Sequence, residues 1–302
     1  MVKNMGISEK QLETWSNQGA IITSQKTHES IRNALNNSEL LKERNYDVYL
    51  QGSYRNSTNI YGESDVDVVV QLNSVYNYNI SGLTQSAQSK FHEEHDCVTY
   101  GYESFRSDIL NVLIEYYGAS EIADGNKSIK IARGSNRLAA DVVVCTQYRY
   151  YTKYNGINDE NYIEGMAFYP QNGCQKIVNY PKYHFNNGAK KNNPQNTNAW
   201  FKPVVRMFKN ARIKLVNDEK ISKGLAPSYF LECLLYNVPN SKFGKNYSDS
   251  YQNIINWLSD CNLDDFLCQH GLYKLFGFST EQWSKENAET LIKNYVDLWK
   301  DW

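Results

Sequence analysis

Asp65-Val66-Asp67-Val68-Val69-Val70-Gln71-Leu72 is an apolar, β-branched run that carries two carboxylates two residues apart. The valines predict a strand. On a strand, residues i and i+2 project from one face, so Asp65 and Asp67 point together while Val66 and Val68 point the other way. Carboxylates held so close repel each other unless a cation lies between them. Mg²⁺ suits the pair, because it takes hard oxygen ligands and accompanies a triphosphate. An apolar strand has no structural use for two acids, so their presence points to chemistry.

Upstream of this run, Tyr46 to Gln51 alternates apolar and polar residues and predicts a second strand. It ends at the turn Gly52-Ser53, with Ser53 twelve residues before Asp65. Glycine at a strand end lets the backbone approach a phosphate closely, a following helix N-terminus would aim N–H groups at it, and Ser53 adds a hydroxyl. Downstream, Ser128–Ala132 and Leu138–Cys145 predict two more strands joined by Arg133-Gly134-Ser135-Asn136. The second of them places Asp141 in another apolar run. Paired with Arg137 or Arg149, Asp141 would be structural. Beside the Asp65/Asp67 strand it completes a site for two metal ions, one activating an attacking hydroxyl and the other holding a triphosphate and its leaving pyrophosphate.

Ser8 with Gln11 forms a capping box, and apolar spacing then predicts one long helix to about Asn36, with Gly19 its weak point. Residues 73–88, rich in Asn, Ser and Tyr, predict a loop or flap. Residues 104–117 predict a helix, and 150–195 an irregular mixture of short strands and loops. Helices are expected at 197–217, 227–237, 249–261 and 281–300. The first half is thus mixed and the second all helical, an α+β chain of two lobes, 1–190 and 191–302.

The 302 residues are 41% hydrophobic and 22% charged, which excludes a disordered chain. No apolar run approaches the ~18 residues of a membrane span, and the N-terminus lacks the core of a signal peptide, so a cytoplasmic protein without membrane contact is expected. Six cysteines without a CxxC pair read as reduced, mostly buried thiols rather than a disulfide framework or a zinc site. His92-Glu-Glu-His95 lacks a third metal ligand and reads as a surface turn. The net charge of −1 speaks against a long nucleic acid as partner. Yet Cys174–Gly224 holds eleven Lys and Arg against two acids, which suits a small anionic ligand or, equally, a solvated helix face.

Gln51-Gly52-Ser53-Tyr54, the Asp65/Asp67 strand and Asp141, in this order, resemble the DNA polymerase β-like nucleotidyltransferases, and more closely the bacterial cGAS/DncV-like nucleotidyltransferases (CD-NTases). Phe201–Arg212 resembles the family helix whose lysine contacts the donor triphosphate, here Lys209, flanked at i−3 and i+3 by Arg206 and Arg212. Pro227–Pro239 resembles the next helix, whose opening serine also reaches the phosphates, here Ser228. The zinc-binding insertion of the animal branch has no counterpart.

The resemblance implies a nucleotidyltransferase lobe with a mixed sheet, a long N-terminal bracing helix, and a helical lobe that closes over the nucleotides. It implies a template-independent synthase making a cyclic di- or trinucleotide second messenger for antiphage defence (CBASS). Asp65, Asp67 and Asp141 would be catalytic and bind two Mg²⁺ ions, with Mn²⁺ as substitute. Gln51, Gly52, Ser53, Lys209 and Ser228 would hold phosphates. The partners expected are ATP with UTP or GTP, and a downstream effector reached through the product, the enzyme itself a monomer. Asn172, Asn179, Asn186 and Asn187 are candidates to read a base edge, and Tyr54 and Tyr229 to stack on one. The alternative is another polymerase β-like transferase that adenylylates a small molecule, a protein or an RNA end.

Overall fold

The computed structural model of the chain describes residues 6–62, 65–95, 99–173, 175–279 and 281–302. Its contacts divide into two compact units that are not cut at a single point. A sheet unit comprises Ile21–Tyr54 and Ser64–Pro181; a helical unit comprises Met1–Ala20, Arg55–Glu63 and Lys182–Trp302. The boundary expected near 190 falls at Pro181, and two earlier stretches join the helical unit.

The sheet unit is built on seven strands: β1 (Tyr46–Leu50), β2 (Val66–Asn79), β3 (Ile122–Asp124), β4 (Ile129–Ile131), β5 (Ala140–Tyr154), β6 (Glu160–Phe168) and β7 (Ile177–Asn179). They run in the order β1-β2-β5-β4-β3, with β6 also on β5 and β7 on β6. β2 and β5 are parallel, and the other pairs are antiparallel. Helices α2 (Ile22–Asn36) and α5 (Tyr102–Tyr117) cover one face. Their Ile31, Leu35, Phe105, Ile109, Val112 and Leu113 pack with Val66, Val68, Val70, Leu72, Val142 and Val144. Each such side chain contributes roughly 1.5–3 kcal/mol by leaving water. That burial turns the alternate residues of β2 and β5, the acids among them, to the opposite face.

The loop or flap expected over 73–88 is instead the second half of β2 followed by helix α4 (Gln85–Glu93). The register shifts between Leu72 and Tyr76, and beyond the shift Tyr76, Ile80, Leu83 and Ala87 pack on Phe91, Tyr151 and Tyr154. His95 stacks on Phe91 with ring centroids 4.0 Å apart and places Nδ1 2.7 Å from the Phe91 carbonyl oxygen, which gives His95 a structural role, while His92 is exposed.

The helical unit holds α1 (Glu9–Ser16), most of α6 (Pro181–Asn192), α7 (Phe201–Asn217), α8 (Ser228–Tyr236), α9 (Tyr247–Asp260) and α10 (Lys285–Asp301). Its core joins Leu12 of α1 to Val204, Val205 and Phe208 of α7 and to residues of α8, α9 and α10. The single long N-terminal helix is two helices. Ser8 caps α1 as expected, but Gly19 donates to the Asn59 carbonyl, and a Cβ there would lie 2.7 Å from the Ile60 carbonyl oxygen. The chain passes too close for a helix to continue.

Helix α6 arises inside the stretch expected to be irregular. Pro181 sits at its first position, where a missing N–H costs nothing, and Gly188 is a packing glycine whose Cβ would lie 2.5 Å from Gln269 Nε2. Cys145, Cys233, Cys261 and Cys268 are free thiols; Cys97 and Cys174 lie outside the described residues. Among the described residues no helix is long and apolar enough to cross a membrane.

Candidate active site

The parallel register of β2 and β5 pairs Asp67 directly with Asp141. Adjacent strands are ~4.8 Å apart, so these two carboxylates start side by side. Asp65 stands one residue before β2, exposed, while Asp67 and Asp141 are half-buried. The three predicted acids therefore share one face at the start of the two parallel strands.

Beneath them Val69, Val143, Cys145, Met166 and Phe168 form an apolar floor. The structural alternative for Asp141 fails: Arg137 pairs with Glu121 at 2.6 Å and Arg149 with Glu160 at 3.3 Å. Asp141 Oδ1 accepts instead from the Ser128 hydroxyl at 2.8 Å. Ser128 was invisible to motif reasoning because its importance comes only from the β4–β5 pairing.

Antiparallel pairing of β1 with β2 brings the glycine turn to the acids. Leu50 is opposite Val68, and the Gln51 N–H donates to the Asp67 carbonyl at 2.9 Å. Gly52 and Ser53 then open the short helix α3 (Gly52–Asn56). Gly52 has φ +63°, and a Cβ on it would lie 2.1 Å from Asp67 Oδ2. Glycine is required here twice, for the left-handed backbone and for the room. Gly52→Ala is expected to cost roughly 1–2 kcal/mol of stability and to lower turnover at least about tenfold, because the methyl group displaces the Asp67 carboxylate. A thermal melt and a product assay on the same preparation check both halves.

The set offers only hard oxygen donors, which fits a divalent cation rather than a soft one. Among the described residues no three His, Cys, Asp or Glu side chains converge closely enough to enclose an ion. The register places the backbones, and like charge favours spread rotamers that a cation would draw together.

In the helical unit, Ser228 is the first residue of α8, directly after Pro227, as the sequence predicts. Lys209, expected to contact phosphate, is paired within the helical unit. It is 1% exposed, and its ammonium lies 2.6 Å from Glu232 Oε1 and 3.1 Å from the Thr58 carbonyl oxygen. Glu232 also accepts from Thr58 Oγ1 at 2.6 Å and Asn56 Nδ2 at 3.1 Å, with His184 Nε2 3.1 Å away. Burial alone would raise the Glu232 pKa, but Lys209 and the His184 contact hold it well below the usual carboxylate range. The donors of Lys209 are thus spent on a built-in anion.

Arg206 donates to the Ser16 and Ser57 carbonyls, and Arg212 to that of Ala226. The basic stripe of α7 is therefore not a solvated face, and its three cations are engaged within the helical unit. A cation pair that the sequence did not single out lies nearby: Arg55 and Lys202 both stack on Phe185, at 4.3 and 5.6 Å from the ring centroid. Desolvation and the charges of Arg206 and Arg55 push the Lys202 pKa down, while Glu232 partly offsets them.

The base-reading candidates separate. Asn187 Nδ2 donates to the Gln269 carbonyl, and Tyr54 is buried in the sheet core. Tyr229 stacks on His184 and Trp283. Asn172, Asn179 and Asn186 are exposed.

A signature of the nucleotidyltransferase domain matches residues 31–117, and one of the cGAS/DncV-like nucleotidyltransferase C-terminal helical domain matches residues 186–300. The chain is 50% identical over 298 residues to the cyclic UMP-AMP synthase of Rhodothermus marinus, covering 99% of each. The chain belongs to the cGAS/DncV-like nucleotidyltransferases. It is also 38% identical to the cyclic nucleotide synthase CdnE01 of Staphylococcus haemolyticus, covering 99% of this chain and all of that one.

The structure of R. marinus CdnE c-UMP-AMP synthase with Apcpp and Upnpp superposes with a TM-score of 0.88 at 49% identity, covering 98% of this chain and 97% of that one. The Elizabethkingia meningoseptica CdnE cyclic dinucleotide synthase with GTP and Apcpp gives 0.77 at 26% identity, covering 96% and 98%. The cGAS/DncV-like chain is accordingly a nucleotidyltransferase of the cyclic nucleotide synthases, a class that uses divalent metal ions.

Proposed function

We propose that this enzyme joins one uridine and one adenosine nucleotide, taken from UTP and ATP, into cyclic UMP-AMP, which carries an antiphage signal of the CBASS kind to an effector in the cytoplasm. The observation that carries the nucleotide pair is the end-to-end 50% identity with the R. marinus cyclic UMP-AMP synthase. The chemistry is supported by the facing Asp67 and Asp141 beside the Gly52 turn.

In this reading Asp65, Asp67 and Asp141 hold two Mg²⁺ ions. When bound, the ions neutralise phosphate charge and lower the pKa of the attacking hydroxyl. Asp141 receives the proton of the acceptor hydroxyl. The hydroxyl oxygen so freed forms a bond to the α-phosphorus of the donor triphosphate as the bond to pyrophosphate breaks, and a second such transfer closes the ring, so two pyrophosphates leave per cyclic product. Gln51, Gly52 and Ser53 cradle donor phosphates with backbone N–H groups and a hydroxyl. Ser228 adds a hydroxyl at the start of α8. Lys202 and Arg55, the cations on the Phe185 ring, add positive charge for the phosphates. The enzyme acts as a monomer.

The test is incubation of the purified protein with Mg²⁺ and α-labelled triphosphates, followed by phosphatase treatment and thin-layer chromatography. A phosphatase-resistant product that disappears when either UTP or ATP is omitted is expected. A product that needs GTP and not UTP would overturn the nucleotide pair. Label transferred to a protein, an RNA end or a small molecule would favour the broader polymerase β-like reading. Lys202→Ala is expected to raise the triphosphate KM about tenfold with kcat little changed, the mark of lost phosphate contact. An unchanged KM would return the phosphate role to other residues.

A further inference from the structure

We infer that Ser128 is the positioning residue of the active site: its hydroxyl fixes the Asp141 carboxylate so that one oxygen is committed and the other is offered to the metal and the acceptor proton. This rests on the three-acid reading of the site above. Ser128 Oγ donates to Asp141 Oδ1 at 2.8 Å, and Asp141 Oδ2 takes no partner among the described residues.

The choice of a hydroxyl has a physical consequence. An arginine in that place would hold the carboxylate equally well, but its charge would compete with a divalent cation for the same oxygen atoms. A neutral donor restricts the rotamer and leaves the full negative charge in place. Arg137 and Arg149, the arginines that the sequence offered as partners, are tied to Glu121 and Glu160.

The serine is itself held in place. It ends the turn between β3 and β4, where Gly125 N–H donates to the Ser128 carbonyl at 3.1 Å and a Cβ on Gly125 would come within 2.8 Å of that oxygen. Ile129 and Ile131 of β4 anchor in the core, so the strand's alternation turns Ser128 and Lys130 to the acid face, with Lys130 paired opposite Asp141.

Further contacts from two directions brace the turn. Arg106 of α5 binds the Asp124 carboxylate and, at 3.4 Å, the Gly125 carbonyl. Gln171 N–H donates to the Asn126 carbonyl at 2.9 Å, and Asn172 N–H donates to Asn126 Oδ1 at 2.8 Å. A hydroxyl on a turn braced from α5 and from the segment after β6 is a fixed point, not a chance neighbour.

The experiment compares Ser128→Ala and Ser128→Thr with Asp141→Asn and wild type. Turnover, triphosphate KM and thermal stability are measured, with Mn²⁺ affinity read by electron paramagnetic resonance on protein without nucleotide. For Ser128→Ala we expect kcat to fall about 10–100-fold and Mn²⁺ affinity about tenfold. KM should stay within about twofold and the melting temperature should hold, with Ser128→Thr recovering most of both losses.

Ser128→Ala with wild-type kcat and Mn²⁺ affinity overturns the proposal. So does a loss that follows a lowered melting temperature and is not recovered by Ser128→Thr, because that marks a purely structural serine. Asp141→Asn retaining wild-type turnover would instead defeat the three-acid reading itself, which separates the two failures.

Discussion

Asp65→Asn combined with Asp67→Asn is expected to abolish product formation, by about 10³-fold or more, while the protein keeps its thermal transition. The two carboxylates lie on the face of β2 opposite the valine core and make no part of that core. The amides keep their size, so packing is unchanged. Charge is what disappears, and a site that must hold divalent cations and a triphosphate loses several kcal/mol of stabilisation with it, each 1.36 kcal/mol being tenfold in rate. Removing two neighbouring like charges leaves the melting temperature equal or higher. The assay is labelled product by chromatography beside a thermal melt. Full activity in the double variant would remove the three acids from the mechanism.

Glu232→Gln is expected to destabilise the protein by about 3–5 kcal/mol, because it leaves the Lys209 ammonium buried without a counter-charge. Four groups converge on this carboxylate, from Lys209, Thr58, Asn56 and His184, so the loss is not confined to one bond. Urea unfolding of wild type and variant measures it.

Replacing both partners, as Lys209→Met with Glu232→Leu, removes the buried charges together and is expected to recover most of the stability. The same double variant keeps its triphosphate KM if Lys209 is structural and loses it if Lys209 holds phosphate. The sign with pH follows from the depressed Glu232 pKa. The stabilisation is fully present above the ordinary carboxylate value of 4.5 and declines as pH falls below it. In Glu232→Gln that acid-side slope is expected to shrink.

Much of the fold was legible where the pattern is local. The Val-rich run from Val66, the strand from Tyr46, helix α5 and the four helices from Phe201 onward stand where period and turn residues put them, within a few residues. The second half of β2 and helix α6 were not legible. Their stabilising partners, Tyr151 and Tyr154 for one and Gln269 for the other, come from far along the chain, and the polar, glycine-bearing segments look irregular without them. Gly19 was rightly marked as weak, yet the reason is the Ile60 carbonyl against it, a contact no period reveals.

For the site, spacing alone determined that Asp65 and Asp67 share a face, since a strand alternates by covalent geometry, and that Gly52 stands at the end of a strand. The sequence order of the glycine turn and the three acids, with the resemblance of Phe201–Arg212 and Pro227–Pro239, was also enough for the family. Only the tertiary structure decided that Asp141 lies directly beside Asp67, because strand register is set by which hydrophobic faces bury together. It alone decided that Asp141 leans on Ser128 rather than on an arginine. It also placed Lys209 in a buried ion pair. A lysine's sequence neighbours state its charge, but whether that charge is available depends on which carboxylate the folded chain brings within 3 Å, and here that is Glu232, at 2.6 Å.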